Sequence, residues 1–171
     1  MKNLTKQSLQ MLSVLILLSL TLTSCSKDDE EDIDPVEQKI QEIKESTSAY
    51  KDVNAAVSAG WSEVLSECVE HPDEGGMGFH YGRMEFFDGR QNHLEPQVML
   101  FAPDGNGGLE FVGVEFIIPF SILDENSEPP VILGQEYHQN HVQEIWALHV
   151  WTEKENPKGI FFDWNPNVSC N

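Results

Sequence analysis

The sequence predicts an α+β domain in which one N-terminal amphipathic helix packs on a curved antiparallel β-sheet or partial barrel. Two observations predict it. One strong helical pattern of apolar residues begins at residue 35, and from residue 61 short β-rich runs alternate with clusters of Gly, Pro, Asn and Asp. Because the chain has 171 residues, 40% of them hydrophobic, it is long enough for a single domain of this kind with its own core.

Residues 1–24 have the features of a lipoprotein signal peptide. A short basic start precedes an apolar stretch at 11–22, which is short for a membrane span and typical of a signal-peptide core. The stretch leads into the letters LTSC, which end at Cys25 and resemble the bacterial lipobox, whose cysteine is lipidated. We therefore expect a lipid on Cys25 to anchor the protein to a membrane. An ordinary signal peptide or a buried apolar segment is the alternative.

Residues 25–34 are predicted to form an acidic tether, which like-charge repulsion is expected to keep extended. A cysteine followed by serine and a run of acids resembles the surface-export signal of Bacteroidota lipoproteins. This resemblance implies display on the outer face of the outer membrane. The periplasmic face, with a plain solvated tether, is the alternative.

The domain at 35–171 begins with the helix, which the pattern predicts over about 35–59. Asp34 is placed to cap it, Pro35 suits its first position, and Glu37 lies three residues after the cap. Gly60 is a natural stop. The apolar stripe at helical spacing consists of Val36, Ile40, Ile43, Thr47, Tyr50, Val53 and Val57.

Strands are predicted after the helix, because the runs are short and separated by turn residues. The loop at 103–108, with the letters PDGNGG, is typical of a hairpin that joins the runs before and after it. The predicted runs are 61–69, 77–87, 98–102, 109–119, 142–153 and 160–164.

Cys68 and Cys170 are the two cysteines left if Cys25 carries lipid. Two thiols in an oxidising envelope most simply form one disulfide, which here would join the front of the domain to its last residues. A metal-thiolate pair and two free thiols are the alternatives.

Three residues lie in apolar strands where their polar groups need partners. Strand alternation places Glu115 among apolar neighbours in 109–119 and His149 on one face of 142–153, while His80 lies between two glycines that are expected to leave open space beside its ring. If the three meet, two imidazoles and a carboxylate suit one transition metal ion such as Zn, Fe(II), Cu or Mn. The alternative is a core network without metal, for instance an ion pair of Glu115 with Arg83 or Arg90.

The sequence argues against several classes of function. A net charge of -19 disfavours attraction to nucleic acid or to an anionic membrane surface. No P-loop, nucleophile elbow, dinucleotide fingerprint or HExxH motif is present. The nearest to a metal signature is the pair His138 and His141, which lies before a strand rather than on a helix.

Several motifs together resemble a group of uncharacterised exported bacterial proteins. They are GGMGFHY at 75–81, LHVW at 148–151, NPKG at 156–159 and WNPNVSC at 164–170, and the resemblance extends over about 49–170. It implies that His80, Glu115, His149, Cys68 and Cys170 belong to a shared pattern, and it implies no activity.

The sequence thus favours a lipid-anchored envelope protein that acts as a binding module for a protein or small-ligand partner, rather than an enzyme. The first alternative is a metal-binding protein or metalloenzyme that uses His80, Glu115 and His149. The second is a carrier of a small apolar ligand, held between the helix and the curved sheet.

Overall fold

The computed structural model describes residues 34–171. The predicted signal peptide, the lipidation site at Cys25 and all of the acidic tether except Asp34 lie outside the described residues. Within 34–171, no helix has both the length and the apolar composition needed to cross a bilayer.

The described chain contains two helices and eight strands. The helices are α1 (Pro35–Thr47) and α2 (Val53–Ser58), and single 3₁₀ turns follow α1 at Ser48–Tyr50 and β2 at Met84–Phe86. The strands are β1 (Glu63–His71), β2 (Gly75–Gly82), β3 (Val98–Pro103), β4 (Leu109–Pro119), β5 (Val131–Ile132), β6 (Gln135–Glu136), β7 (His138–Asn140) and β8 (Ile145–Val150).

The predicted helix begins as expected but is not continuous to residue 59. The Asp34 side chain accepts a hydrogen bond from the backbone N–H of Val36 at the start of α1. Asp52 then caps a new helix, because its side chain accepts from the backbone N–H groups of Asn54 and Ala55. This second cap divides the apolar stripe between α1 and α2, and both helices contribute to the same core.

The main sheet confirms the predicted fold class. Six antiparallel strands run in the order β1-β2-β3-β4-β8-β7 and curl strongly into a half-barrel. The hairpin at 103–108 joins β3 to β4 as predicted. A separate two-stranded ribbon pairs β5 with β6.

The last predicted strand, 160–164, is not a strand. This segment consists of turns, and the nearest ladder contact is a single bridge between Gly76 and Asn165. Strand β7, which lies at the edge of the sheet beside β8, was not predicted, because three residues are too few to show an alternating pattern.

The two faces of the sheet carry different cores. The outer face packs against the helices. Ile43 and Ala56 of the helices lie in the same core as Phe116, Trp146 and Leu148 of the sheet. The inner face carries a smaller apolar cluster, which consists of Val98, Leu100, Ala102, Val112, Ile117, Trp151 and Val168. This inner face is the one that bears the candidate site.

A β-bulge in β4 changes the faces that simple alternation predicts. Leu100 pairs with Gly113 and Phe101 pairs with Phe111, so Val112 is the extra residue. Val112 therefore lies in the inner cluster and Phe111 in the outer core, whereas strict alternation along 109–119 puts Val112 on the face of Val114 and Phe111 on the face of Glu115. Beyond the bulge the prediction holds, and Glu115 lies between outer-core residues Val114 and Phe116 with its side chain on the inner face.

The predicted disulfide between Cys68 and Cys170 is present, with a sequence separation of 102 residues. It ties β1 to the C-terminal segment. Two further contacts join the same segments, since Glu70 accepts hydrogen bonds from the Ser169 hydroxyl and from the backbone N–H of Cys170.

Candidate metal centre

The three candidate ligands come from three strands of the curled sheet. His80 lies on β2, Glu115 on β4 and His149 on β8. Glu115 and His149 are directly paired across the β4–β8 ladder. His80 is two strands away from Glu115, so their backbones are separated by about 10 Å, and their side chains meet only because the sheet curls toward this face.

The curl brings the polar atoms of the three side chains to one point. The Nε2 atoms of His80 and His149 are 3.4 Å apart. The Nε2 of His80 is 3.7 Å from Oε2 of Glu115, and the Nε2 of His149 is 3.7 Å from Oε1. One ligand atom from each residue lies within 4.8 Å of the others. Within residues 34–171, no other group of three or more His, Cys, Asp or Glu side chains comes together in this way.

The carboxylate of Glu115 is buried without a close cation. The residue is 4% exposed, His80 is 8% exposed and His149 is 2% exposed. A separation of 3.7 Å is too long for a hydrogen bond, so neither imidazole satisfies the carboxylate directly. A buried anion in this position carries a large desolvation cost unless a positive charge compensates it.

The outward-facing nitrogen of each imidazole is held by a second polar group. Nδ1 of His80 lies 2.8 Å from the Ser66 hydroxyl, on the neighbouring strand β1. Nδ1 of His149 lies 3.2 Å from Oδ1 of Asp163, whose other oxygen lies 3.3 Å from Nε2 of His138. When Nδ1–H donates to these oxygens, the lone pair of each Nε2 points at the central position.

The charges in the site shift the pKa values of its members in different directions. Burial lowers the pKa of His80, although Glu115 opposes the shift. Burial also acts to lower the pKa of His149, but the attraction of Glu115 and the contact with Asp163 outweigh it, so the net direction is upward. Burial tends to raise the pKa of Asp163, and the hydrogen bond from His149 turns the net shift downward. The opposite directions make His149 the more basic of the two rings.

A cavity of about 500 Å³ opens beside the three residues. Its apolar lining comes mainly from β1, β2, β4 and β8, and comprises Leu65, Val69, Met77, Ile117 and Ala147. Its polar lining comes mainly from β7 and the turn that follows, and comprises His138, Gln139, Asn140, His141 and Gln143, with Ser66 and Asp163 beside the two ligand imidazoles. The site is thus buried at its ligand atoms and reachable from one side.

Several expectations about neighbouring residues need correction. Arg83 pairs with Glu85, and Arg90 pairs with Asp88 and Glu95, so the predicted core ion pair with Glu115 is not formed. The glycines that flank His80 do not leave open space.

The space beside both glycines is occupied by other groups. A Cβ on Gly78 would meet the Phe101 carbonyl oxygen at 2.3 Å, and one on Gly82 would meet the Leu65 side chain at 2.8 Å. These glycines allow close packing of β2 against its neighbours rather than space for a ligand.

His138 and His141 line the cavity but do not join the central group. His138 contacts Asp163, and the exposed His141 pairs with Glu125. Ser66 and Asp163 were not identified from the sequence. Ser66 is found only once the β1–β2 register is known, and Asp163 lies in a turn with no periodic pattern to give its direction.

Comparisons of the chain with protein-family models, with curated proteins and with solved structures find no match. The geometry and chemistry of this site are therefore the basis for a proposal on function.

Proposed function

We propose that the domain binds one transition metal ion between His80, Glu115 and His149, and that the protein works as a metalloprotein of the cell envelope. The observation that carries the proposal is the convergence of two Nε2 atoms on a buried carboxylate that makes no hydrogen bond with either ring. A divalent ion at the central position would supply a full positive charge beside the Glu115 carboxylate.

The distances suit such an ion. With metal–nitrogen bonds of about 2.0–2.1 Å and tetrahedral angles, two imidazole nitrogens on one zinc ion lie about 3.3 Å apart. The observed separation of the two Nε2 atoms is 3.4 Å. Each nitrogen lies 3.7 Å from a different oxygen of Glu115, a few tenths of an ångström farther than this ideal separation.

The outer contacts also support metal ligation. Imidazoles that bind metal almost always donate their other N–H to a carboxylate, a carbonyl, a hydroxyl or water, which fixes the tautomer and the ring orientation. Asp163 has this role for His149 and Ser66 has it for His80. Without a metal, the two Nε2 atoms can share only one hydrogen bond with each other, at 3.4 Å, and that bond leaves the Glu115 carboxylate without a donor from either ring.

Three protein ligands leave at least one coordination position for water or another ligand. That composition is typical of catalytic rather than structural zinc sites, and two His with one carboxylate also bind Fe(II), Mn or Cu. Structural zinc sites in proteins are usually closed by four side chains. The cavity beside the site supplies the access that an open position needs.

Elemental analysis of the purified, tag-free protein tests the proposal. We expect about one equivalent of a transition metal, either as isolated or after reconstitution with Zn, Fe(II), Mn and Cu in turn. His80→Ala, Glu115→Gln and His149→Ala should each lose it. His141→Ala is the matched control, because this imidazole lines the same cavity without pointing at the central position, and it should retain the metal.

A wild-type protein that binds none of these metals would refute the proposal. So would a metal content that is equal in the three ligand variants and in wild type. Circular dichroism of each variant distinguishes loss of a ligand from loss of the fold.

We further propose that a lipid on Cys25 anchors this domain to the outer membrane, with display at the cell surface. The basic start, the core length and the position of Cys25 in the sequence support it. Cys25→Ser should release the protein from the membrane fraction into a soluble fraction, with the fold of residues 34–171 unchanged. Protein that stays fully membrane-bound after this substitution would contradict the lipid anchor.

A further inference from the structure

We propose that the open coordination position takes a small amphipathic monoanion, a molecule with one anionic oxygen donor for the metal and a compact apolar body for the cavity. This inference rests on the proposed metal site and adds the class of its ligand. The charge of the site, the lining of the cavity and the surface at its mouth support this ligand class.

The charge at the metal calls for one negative charge. A divalent ion with two neutral imidazoles and the Glu115 carboxylate carries a net charge of about +1. A ligand with a single anionic donor neutralises this charge inside a site where the ligand atoms are almost fully buried.

The rest of the cavity disfavours any further negative charge. Among the described residues that line it there is no Lys and no Arg, whereas Asp163 lines it and contacts His149. Phosphate esters and dicarboxylates would place a second charge near acidic groups with no cation to receive it.

The apolar lining favours a ligand with a hydrophobic body. Side chains of Leu65, Val69, Met77, Ile117 and Ala147 face the cavity, whose volume of about 500 Å³ lies within the range of small-molecule sites. Burying an aromatic or branched aliphatic group here removes apolar surface from water on both partners.

The mouth of the cavity carries an unusual exposed residue. Val142, in the turn between β7 and β8, is 94% exposed and is among the residues that line the cavity. An apolar side chain in this position extends the hydrophobic lining to the surface. It also provides a site where charge can be added near an entering ligand without changing a metal ligand.

The test uses full-length protein loaded with Co(II), whose visible spectrum reports a change of ligand at the metal. Three probes separate the parts of the inference. The probe 2-naphthoate has one carboxylate and an apolar body, acetate has the same carboxylate alone, and naphthalene-2,3-dicarboxylate adds a second charge to the same body. We expect 2-naphthoate to bind at least about tenfold more tightly than either of the others.

Charge substitutions at the mouth give an independent readout. Val142→Asp should weaken binding of 2-naphthoate and Val142→Lys should strengthen it, each by about two- to fivefold at low salt, because exposed charges interact weakly. Val131→Asp and Val131→Lys are matched controls, since Val131 is 53% exposed and does not line the cavity. The cobalt content of all four variants should equal that of wild type.

The outcomes distinguish failure of this inference from failure of the metal site. If one equivalent of cobalt is bound and no probe alters the spectrum, the ligand class is wrong and the metal site stands. Equal affinity for acetate and 2-naphthoate would overturn the role of the apolar lining, and tighter binding of the dicarboxylate would overturn the charge argument. If no cobalt binds, the proposed function fails and this inference fails with it.

Discussion

A carboxylate such as that of Glu115, buried between two imidazoles at 3.7 Å from each, needs a positive charge at close range. Its direct neighbours in the ladder are Val98 on β3, which is apolar, and His149 on β8, whose ring contacts Asp163 through its other nitrogen. At the scale of single residues, the site is therefore defined by a buried carboxylate that makes no hydrogen bond with either ring, together with two nitrogens that lie beside it.

At this scale we predict how a substitution of Asp163 changes metal affinity. Asp163→Asn keeps the size of the side chain and removes the charge that orients His149, so metal affinity should fall by about 10- to 100-fold. Competition with a chromophoric chelator measures the change. Glu125→Gln is the matched control, because Glu125 contacts the imidazole of His141 at 3.1 Å and should leave metal affinity unchanged. Equal affinity in the two variants would contradict the orienting role of Asp163.

Part of the site was predictable from single residues, and part was not. A Glu and a His in apolar strands stand out in the sequence because a buried polar group needs a partner, and this identified Glu115 and His149. His80 was identified for a reason that proved wrong, the space beside its glycines. The direction of the Asp163 side chain is set by the path of a turn, which sequence periodicity does not predict.

At the scale of elements, strand pairing sets the geometry of the site. The β4–β8 register places Glu115 opposite His149, and the β2–β3 register places His80 opposite Leu100. The alternation in β8 was readable from the sequence, since Trp146 and Leu148 lie in the outer core as predicted. The bulge at Val112 and the second helix cap at Asp52 were missed, because each interrupts a periodic pattern at a single residue.

Close contact between β4 and β8 leads to a prediction at Gly113. A Cβ there would meet the Val150 carbonyl oxygen at 2.4 Å and the Trp151 Cα at 3.1 Å, and neither backbone group can move freely. Gly113→Ala should lower the free energy of unfolding by about 1–3 kcal/mol in urea denaturation. It should also weaken metal binding, because it separates the strands that carry Glu115 and His149.

Gly108→Ala is the control for this substitution. Its Cβ would meet Oδ2 of Asp104 at 2.8 Å, an exposed oxygen that needs to shift by only a few tenths of an ångström while Oδ1 still accepts from the backbone N–H groups of Asn106 and Gly108. We expect a change within about 0.5 kcal/mol, as for most surface substitutions. If Gly113→Ala were as mild as Gly108→Ala, the close approach of β4 and β8 would be wrong.

At the scale of the whole molecule, the disulfide closes the domain between an edge strand and the C-terminal segment. Its pairing could be predicted from the cysteine count together with the predicted export signal. The sequence predicted a curved sheet or partial barrel, but not how strongly the sheet curls. The meeting of three strands at one point was left open, because it depends on a strand order that no local pattern specifies.

Loss of the disulfide should destabilise the folded domain. For a sequence separation of 102 residues, the chain-entropy model gives about 4.7 kcal/mol, and measured losses for native disulfides are about 2–5 kcal/mol. The double variant Cys68→Ala/Cys170→Ala should show a loss in this range in urea denaturation. The single variant Cys68→Ala should leave Cys170 reactive toward a thiol reagent. A loss below about 1 kcal/mol would contradict a structural role for the bond.

The stability of β1 also bears on the site. This edge strand carries Ser66, which orients His80, and Leu65 and Val69, which line the cavity. The disulfide at Cys68 lies in the same strand, so it fixes one wall of the cavity as well as the C-terminal segment.

Anomalous diffraction from crystals of the metal-loaded protein tests the central claim most directly. Data collected above and below the absorption edge of the bound metal locate that ion without reference to any assay. The account predicts one strong anomalous peak, at about 2.0–2.2 Å from Nε2 of His80, from Nε2 of His149 and from a carboxylate oxygen of Glu115. A peak at other residues, or none at this position in crystals soaked with Zn, Fe(II), Mn and Cu, would contradict it.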